Sequence, residues 1–114
     1  MEKSNVYRYV ETFNVAVRSG DFTALLGWFT DNAVFRFENV PGAGTLEFSG
    51  REAYTAAYVD QPPDDEIEVA GPVREEGALV EVPFRWRSTG EPGTMVLTLD
   101  GDRFSAMLVR FGPS

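Results

Sequence analysis

The sequence predicts a single α+β domain, spanning residues 1–114, in which helices come first and an antiparallel sheet follows. Two observations favour this fold class. Up to residue 60 the apolar residues recur mainly at helical spacing, whereas from residue 66 onward they alternate with polar residues at strand spacing. A chain of 114 residues with 43% hydrophobic content suits one domain and can bury a core.

The first two helices are predicted from apolar spacing and from their end signals. The first spans about residues 5–19, since Gly20 suits the left-handed position that ends a helix. A second, shorter helix begins at Asp21 and carries apolar residues from Phe22 to Phe29. The stripe of the first helix consists of Val6, Val10, Phe13 and Val17.

Two strands and a third helix follow. Alternating residues predict a strand at Ala33–Glu38 and a short one at Thr45–Phe48. Ser49 with Glu52 three residues later forms the pattern of a capping box, so a helix is expected from there to about Asp60. One face of this helix presents Ala53, Tyr54, Ala57 and Tyr58.

The remaining chain is predicted to be a meander of four strands. Glu75-Glu76-Gly77 and Asp100-Gly101 are expected to be turns between them. The strands are expected at residues 66–73, 78–88, 94–100 and 103–111.

The last predicted strand is apolar on both faces. Alternation places Phe104, Ala106 and Leu108 on one face, together with Arg110, and other apolar residues on the opposite face. Because the helices can cover only one face of the sheet, we expect a homodimer through the other face. The alternative is a monomer in which this strand is central and fully buried.

Composition excludes several classes of chemistry. The chain has no Cys and no His, which removes thiolate nucleophiles, disulfides and imidazole bases. Its net charge of −8 argues against nucleic acid and anionic membranes as partners. With no signal-peptide pattern at the N-terminus, a cytoplasmic protein is expected. No metal or cofactor is expected either.

Four segments carry a family resemblance, namely residues 9–21, 28–35, 49–53 and 107–112. Together they resemble a nuclear transport factor 2-like domain of the SnoaL-like and ketosteroid isomerase-like type. This resemblance implies a curved antiparallel sheet packed on three N-terminal helices, a cone-shaped fold also described as cystatin-like. It also implies an apolar pocket and, for many members, a homodimer.

The catalytic residues of the ketosteroid isomerase branch have no counterpart in this sequence. The resemblance places its tyrosine at Phe13, its basic aspartate at Phe37 and its neutral aspartate near Met95. Phenylalanine and methionine neither donate to an oxyanion nor accept a proton. A register shift of one residue would offer Glu38 as a base, although such a shift turns the side chain to the opposite face of the strand.

The remaining candidates are aromatic. Tyr54 and Tyr58 can donate a hydrogen bond to a ligand and, with Glu38, are the weak candidates for catalysis. Tyr9 and Asn14 flank the stripe of the first helix and are further candidates for the pocket. The predicted pocket lining is Phe13, Trp28, Phe35, Phe37, Tyr54, Tyr58, Phe84, Trp86 and Met95.

The sequence therefore favours a protein with a pocket for a small, neutral, hydrophobic ligand. It leaves open whether the protein is an isomerase or cyclase that lacks the usual catalytic residues. The alternative is a non-catalytic homodimeric module, structural or protein-binding, in which aromatic side chains fill the cone.

Overall fold

The computed structural model describes residues 3–40, 42–60 and 63–112. The described chain confirms the predicted α+β class, with helices packed on an open, curved sheet. None of its described helices has both the length and the apolar character needed to cross a membrane. The elements are α1 (Lys3–Ser19), α2 (Thr23–Leu26), β1 (Phe29–Val40), β2 (Gly44–Ser49), α3 (Arg51–Asp60), β3 (Ile67–Val69), β4 (Arg74–Glu76), β5 (Leu79–Trp86), β6 (Pro92–Asp100) and β7 (Arg103–Phe111).

The strand order in the sheet is β2-β1-β7-β6-β5-β3, and β4 also pairs with β5. Every neighbouring pair is antiparallel except β1 and β7, which run parallel with Phe35 opposite Met107. The predicted antiparallel sheet therefore contains one parallel pair, which the sequence did not indicate. Residue alternation gives the period of a strand but not the direction of its neighbour, and a parallel pair needs the long connection that lies between β1 and β7.

The predicted end of the second helix was also wrong. The helix stops at Leu26, and Phe29 is the first residue of β1, where it pairs with Phe104 of β7. Phe29 is fully buried and packs edge-on against Tyr9 at 5.8 Å between ring centroids. This tertiary contact decides its conformation, because an apolar residue after a short helix fits either pattern.

The region between α3 and β5 differs from the expected single strand. Of the strand predicted at residues 66–73, only Ile67–Val69 is extended. Glu75 and Glu76, predicted as part of a turn, belong to β4 and pair with Val80 and Leu79 of β5. The turn between these strands lies at Gly77-Ala78.

A bulge in β7 changes which residues face the helices. Thr98 pairs with Ala106 and Leu99 pairs with Phe104, so Ser105 is the extra residue. Phe104 therefore turns inward and is fully buried, whereas Ala106 lies on the outer face. The prediction that both residues share a face was wrong, because one inserted residue reverses the alternation.

Candidate functional site

The inner face of the sheet, together with α1 and α3, lines a partly open apolar cavity of about 130 Å³, here called the central cavity. Every described residue that lines it is apolar or a tyrosine. No charged side chain is among them. The lining consists of Tyr9, Phe13, Phe37, Tyr54, Tyr58, Pro63, Ile67, Phe84, Trp86, Met95, Met107, Val109 and Phe111.

The three positions at which the resemblance would place isomerase catalytic groups meet at this cavity. Phe13 projects from α1, Phe37 from β1 and Met95 from β6, and all three line the cavity wall. The fold thus brings these positions together, but the side chains there provide surface and no acid or base. Tyr54, Tyr58, Phe84 and Trp86 also line the cavity.

Two predicted lining residues lie elsewhere. Phe35 is fully buried behind the cavity wall, stacked on Tyr54 at 3.8 Å between ring centroids. Trp28 stacks on Phe104 with 5.9 Å between ring centroids, near the end of the sheet where β1 begins. Phe35 and Trp28 are thus not among the described residues that line the central cavity. Alternation and spacing show which face a residue occupies but not how far it lies from the cavity.

Glu38 is on the outer face of the sheet. Its carboxylate accepts hydrogen bonds from Arg110 at 3.1 Å and from Arg36 at 3.0 Å. These hydrogen bonds, led by that of Arg110, lower the pKa of the Glu38 carboxyl below its usual value. Glu38 is therefore not among the described residues that could act as a base in the central cavity. Arg110 finds its carboxylate partner in Glu38 rather than in a ligand.

The polar groups at the cavity are phenols. The hydroxyls of Tyr54 and Tyr58 are hydrogen-bonded to each other across one turn of α3. The hydroxyl of Tyr9 donates to the sulfur of Met107 at 3.4 Å. Burial raises the pKa of Tyr9 and of Tyr54 well above the usual tyrosine value, and raises that of Tyr58 to about 12.

Neutral phenols can donate hydrogen bonds at physiological pH but are poor bases. In the Tyr54–Tyr58 pair, one hydroxyl donates and the other accepts. The hydroxyl that accepts keeps a proton that can be donated to a third group. The pair therefore keeps one hydroxyl proton that is free for a third group, and it adds no charge to the cavity wall.

Several lining residues were not among the predicted set. Met107, Val109 and Phe111 follow the alternation of β7 inward, a pattern visible in the sequence but attributable there to either face. Tyr9 flanks the predicted stripe of α1. Pro63 and Ile67 come from the segment after α3. The sequence predicted a strand at residues 66–73 but did not show that its face with Ile67 would reach the cavity.

Two grooves adjoin the cavity. The first, here called the mouth groove, has a volume of about 190 Å³ and lies between β2, α3 and the end of β7. It shares Phe37, Tyr54 and Phe111 with the central cavity. The second, here called the α2–α3 groove, measures about 410 Å³ and includes Phe22 and Tyr58.

The fold and the cavity define a cone-shaped α+β domain with an apolar interior. Residues 6–109 match the SnoaL-like domain family, and the chain belongs to this family. No curated protein sequence matches the chain significantly.

Solved structures with the same fold share little sequence with this chain. A putative isomerase from Bacillus subtilis is 17% identical with a TM-score of 0.73, over 99% of this chain and 91% of that one. An NTF2-like protein of unknown function from Burkholderia xenovorans is 19% identical with a TM-score of 0.70, over 100% of this chain and 88% of that one. A protein from Catenulispora acidiphila with a ketosteroid isomerase-like fold was solved in complex with trimethylamine. It is 13% identical with a TM-score of 0.68, over 93% of this chain and 86% of that one.

Proposed function

We propose that this protein binds a small, neutral, hydrophobic molecule in the central cavity. The observation that carries this proposal is an apolar cavity of about 130 Å³ without any charged side chain among its described lining residues. A cavity of roughly 150 Å³ lined by apolar side chains stays dry and binds benzene. A molecule with one aromatic ring, or an aliphatic molecule of similar size, therefore matches this space.

The size of the cavity argues against large ligands. Pockets for drug-sized molecules measure roughly 300–1,000 Å³, which is at least about twice the volume of the central cavity. The trimethylamine bound by the Catenulispora protein is smaller than benzene, which supports a small occupant for this fold. The free proton of the Tyr54–Tyr58 pair favours a ligand with one hydrogen-bond acceptor, such as a ketone oxygen.

The cavity supports binding better than catalysis of the ketosteroid isomerase type. No carboxylate is among its described lining residues, and Phe13, Phe37 and Met95 occupy the positions that this chemistry requires. Acid–base chemistry in this cavity would rest on Tyr54 and Tyr58, whose raised pKa keeps both phenols protonated. Such phenols can donate hydrogen bonds but are weaker proton donors than an ordinary tyrosine, and in the neutral form they are poor bases.

Acetophenone tests the proposal, because it combines one ring with one ketone oxygen. Two of the three methionines, Met95 and Met107, line the cavity, so their methyl NMR signals report its occupancy directly. We expect both signals to shift, with a Kd on the order of 0.1–1 mM. Benzoate is the charged control and should not bind, because no described cation compensates its charge.

The affinity for acetophenone should stay constant from pH 5 to pH 9. Burial raises the pKa of the cavity phenols, so they keep their protons throughout this range and lose them only at more alkaline pH. Unchanged Met95 and Met107 signals at saturating acetophenone would contradict the proposed function.

A second candidate function, a homodimeric structural or protein-binding module, is supported by the outer face of the sheet. Val34 is 47% exposed there, and Val96 and Leu108 pair beside it on the same face. Several charges around this patch form opposite-sign pairs, namely Arg36 with Glu38 and Glu47, Arg110 with Glu38, and Arg85 with Glu68. A second copy of this acidic chain can therefore approach this face with little repulsion.

Two matched valines test the dimer. We expect light scattering to give twice 12.6 kDa for the native chain and 12.6 kDa for Val34→Glu. Val15 on α1 is also 47% exposed, and Val15→Glu should leave the mass unchanged because it lies away from the sheet. A native mass of 12.6 kDa at micromolar concentration would rule out the dimer.

A further inference from the structure

We infer that Tyr58 sets the upper size limit of the ligand, because its side chain separates the central cavity from the α2–α3 groove. This inference rests on the proposed function of the cavity. It goes beyond that function by assigning the choice between one-ring and two-ring ligands to one residue.

The positions of the three spaces carry the argument. Among the described lining residues, Tyr58 alone is shared by the central cavity, the mouth groove and the α2–α3 groove. It is also the one described residue that the central cavity and the α2–α3 groove have in common. On the far side of its ring, the α2–α3 groove provides about 410 Å³ next to Phe22 and Leu26.

Contacts on both sides hold the Tyr58 ring in this dividing position. Its hydroxyl is hydrogen-bonded to Tyr54, and the two rings lie 4.4 Å apart between centroids. On the groove side it stacks on Phe22 at 4.9 Å with an interplanar angle of 30°. Phe22 directly precedes α2, and Tyr54 lies in α3. The Tyr58 ring therefore contacts residues on both sides of the division.

Removing the ring joins the two spaces. Together they exceed the lower limit of roughly 300 Å³ that is typical of pockets for larger ligands, because the groove alone measures about 410 Å³. The joined space keeps apolar walls at Phe22 and Leu26. A flat two-ring molecule that the native cavity excludes should then be accepted.

Acetophenone and 2-acetonaphthone form a matched pair of test ligands, since they differ by one fused ring and share the ketone. We expect the native protein to bind acetophenone and to bind 2-acetonaphthone at least about tenfold more weakly. Tyr58→Ala should remove this preference by increasing the affinity for 2-acetonaphthone at least about tenfold. Tyr58→Phe keeps the ring and should still exclude the larger ligand. Tyr7→Ala is the control, because Tyr7 is half-exposed on α1 and does not line the cavity.

If Tyr58→Ala does not fold, Tyr58→Leu removes the ring while keeping an apolar cover over the core. Acetophenone binding by the native protein without any gain for 2-acetonaphthone in the folded variant overturns the role of Tyr58 and leaves the proposed function intact. A gain in the variant without acetophenone binding by the native protein overturns the proposed function alone. No binding of either ligand to any protein overturns both.

Discussion

We expect Asn14→Leu to lower the free energy of unfolding by about 2–4 kcal/mol. The Asn14 side chain is 5% exposed and makes two hydrogen bonds to the backbone of Ile67. Its Nδ2 donates to the Ile67 carbonyl at 2.8 Å, and its Oδ1 accepts from the Ile67 N–H at 2.9 Å. Leucine is similar in size but leaves both backbone groups buried without a partner, which is the costly way to lose a hydrogen bond.

Urea denaturation measures this effect, and Asn32→Leu is the control. Asn32 is exposed on β1, so its replacement should change stability by no more than about 0.5 kcal/mol. The structural reason for the difference is that Asn14 joins α1 to β3 and thereby closes one side of the cone beside Ile67 of the cavity wall. A loss of less than about 1 kcal/mol for Asn14→Leu would show that the two hydrogen bonds are not what fixes α1 to β3.

The role of Asn14 illustrates where prediction from sequence ends. Its position beside the stripe of α1 indicated a half-buried residue, and a place in the pocket was a reasonable expectation. Its partner, Ile67, lies 53 residues away in a strand of three residues. Sequence periodicity describes one element at a time, so it cannot show which backbone group a buried amide will meet.

The aromatic lining was more predictable. Phe84 and Trp86 alternate along β5, and Phe13 lies on the stripe of α1, so their inward direction follows from the period of each element. Phe104 was misplaced because the bulge at Ser105 interrupts the alternation of β7. Period therefore predicts the facing of a side chain only as far as the next irregularity in the element.

The distance of an inward-facing residue from the cavity was not predictable from the sequence. Phe35 and Phe37 alternate on the same face of β1, yet Phe37 lines the cavity whereas Phe35 is sealed behind Tyr54. The difference arises from the curvature of the sheet and from the position of α3, neither of which leaves a trace in a hydrophobic pattern. The volume of the cavity is likewise a sum over many side chains from distant elements.

The aromatic residues have two consequences for the cavity at once. Phenylalanine at positions 13 and 37 removes polar groups that isomerase chemistry would need, and its ring also occupies space. The loss of charge and the small volume therefore have the same cause. Together they favour a ligand that is both neutral and small.

Gly93→Ala should remove ligand binding by pushing an aromatic ring into the central cavity. Gly93 of β6 pairs with Phe84 of β5, and the Phe84 ring lies directly over it. A Cβ added at Gly93 would come within 2.5 Å of Phe84 Cζ and 2.9 Å of Cε1, which is closer than carbon atoms approach. Phe84 is buried and lines the cavity, so the open direction for its ring is into that space.

We expect Gly93→Ala to weaken acetophenone binding at least about tenfold. It should also lower the free energy of unfolding by about 1–3 kcal/mol, the usual cost of overpacking a core. Gly27→Ala is the matched control. Gly27 is exposed with a helical φ of −64°, and its added Cβ would meet its nearest neighbour, the Ala24 carbonyl oxygen, at an ordinary 3.4 Å. Its replacement should leave binding unchanged and stability within about 0.5 kcal/mol of the native value or slightly higher. The Phe84 ring is expected to move into the central cavity when Gly93 is replaced. Native acetophenone affinity in a folded Gly93→Ala protein would therefore mean that acetophenone binds outside this cavity.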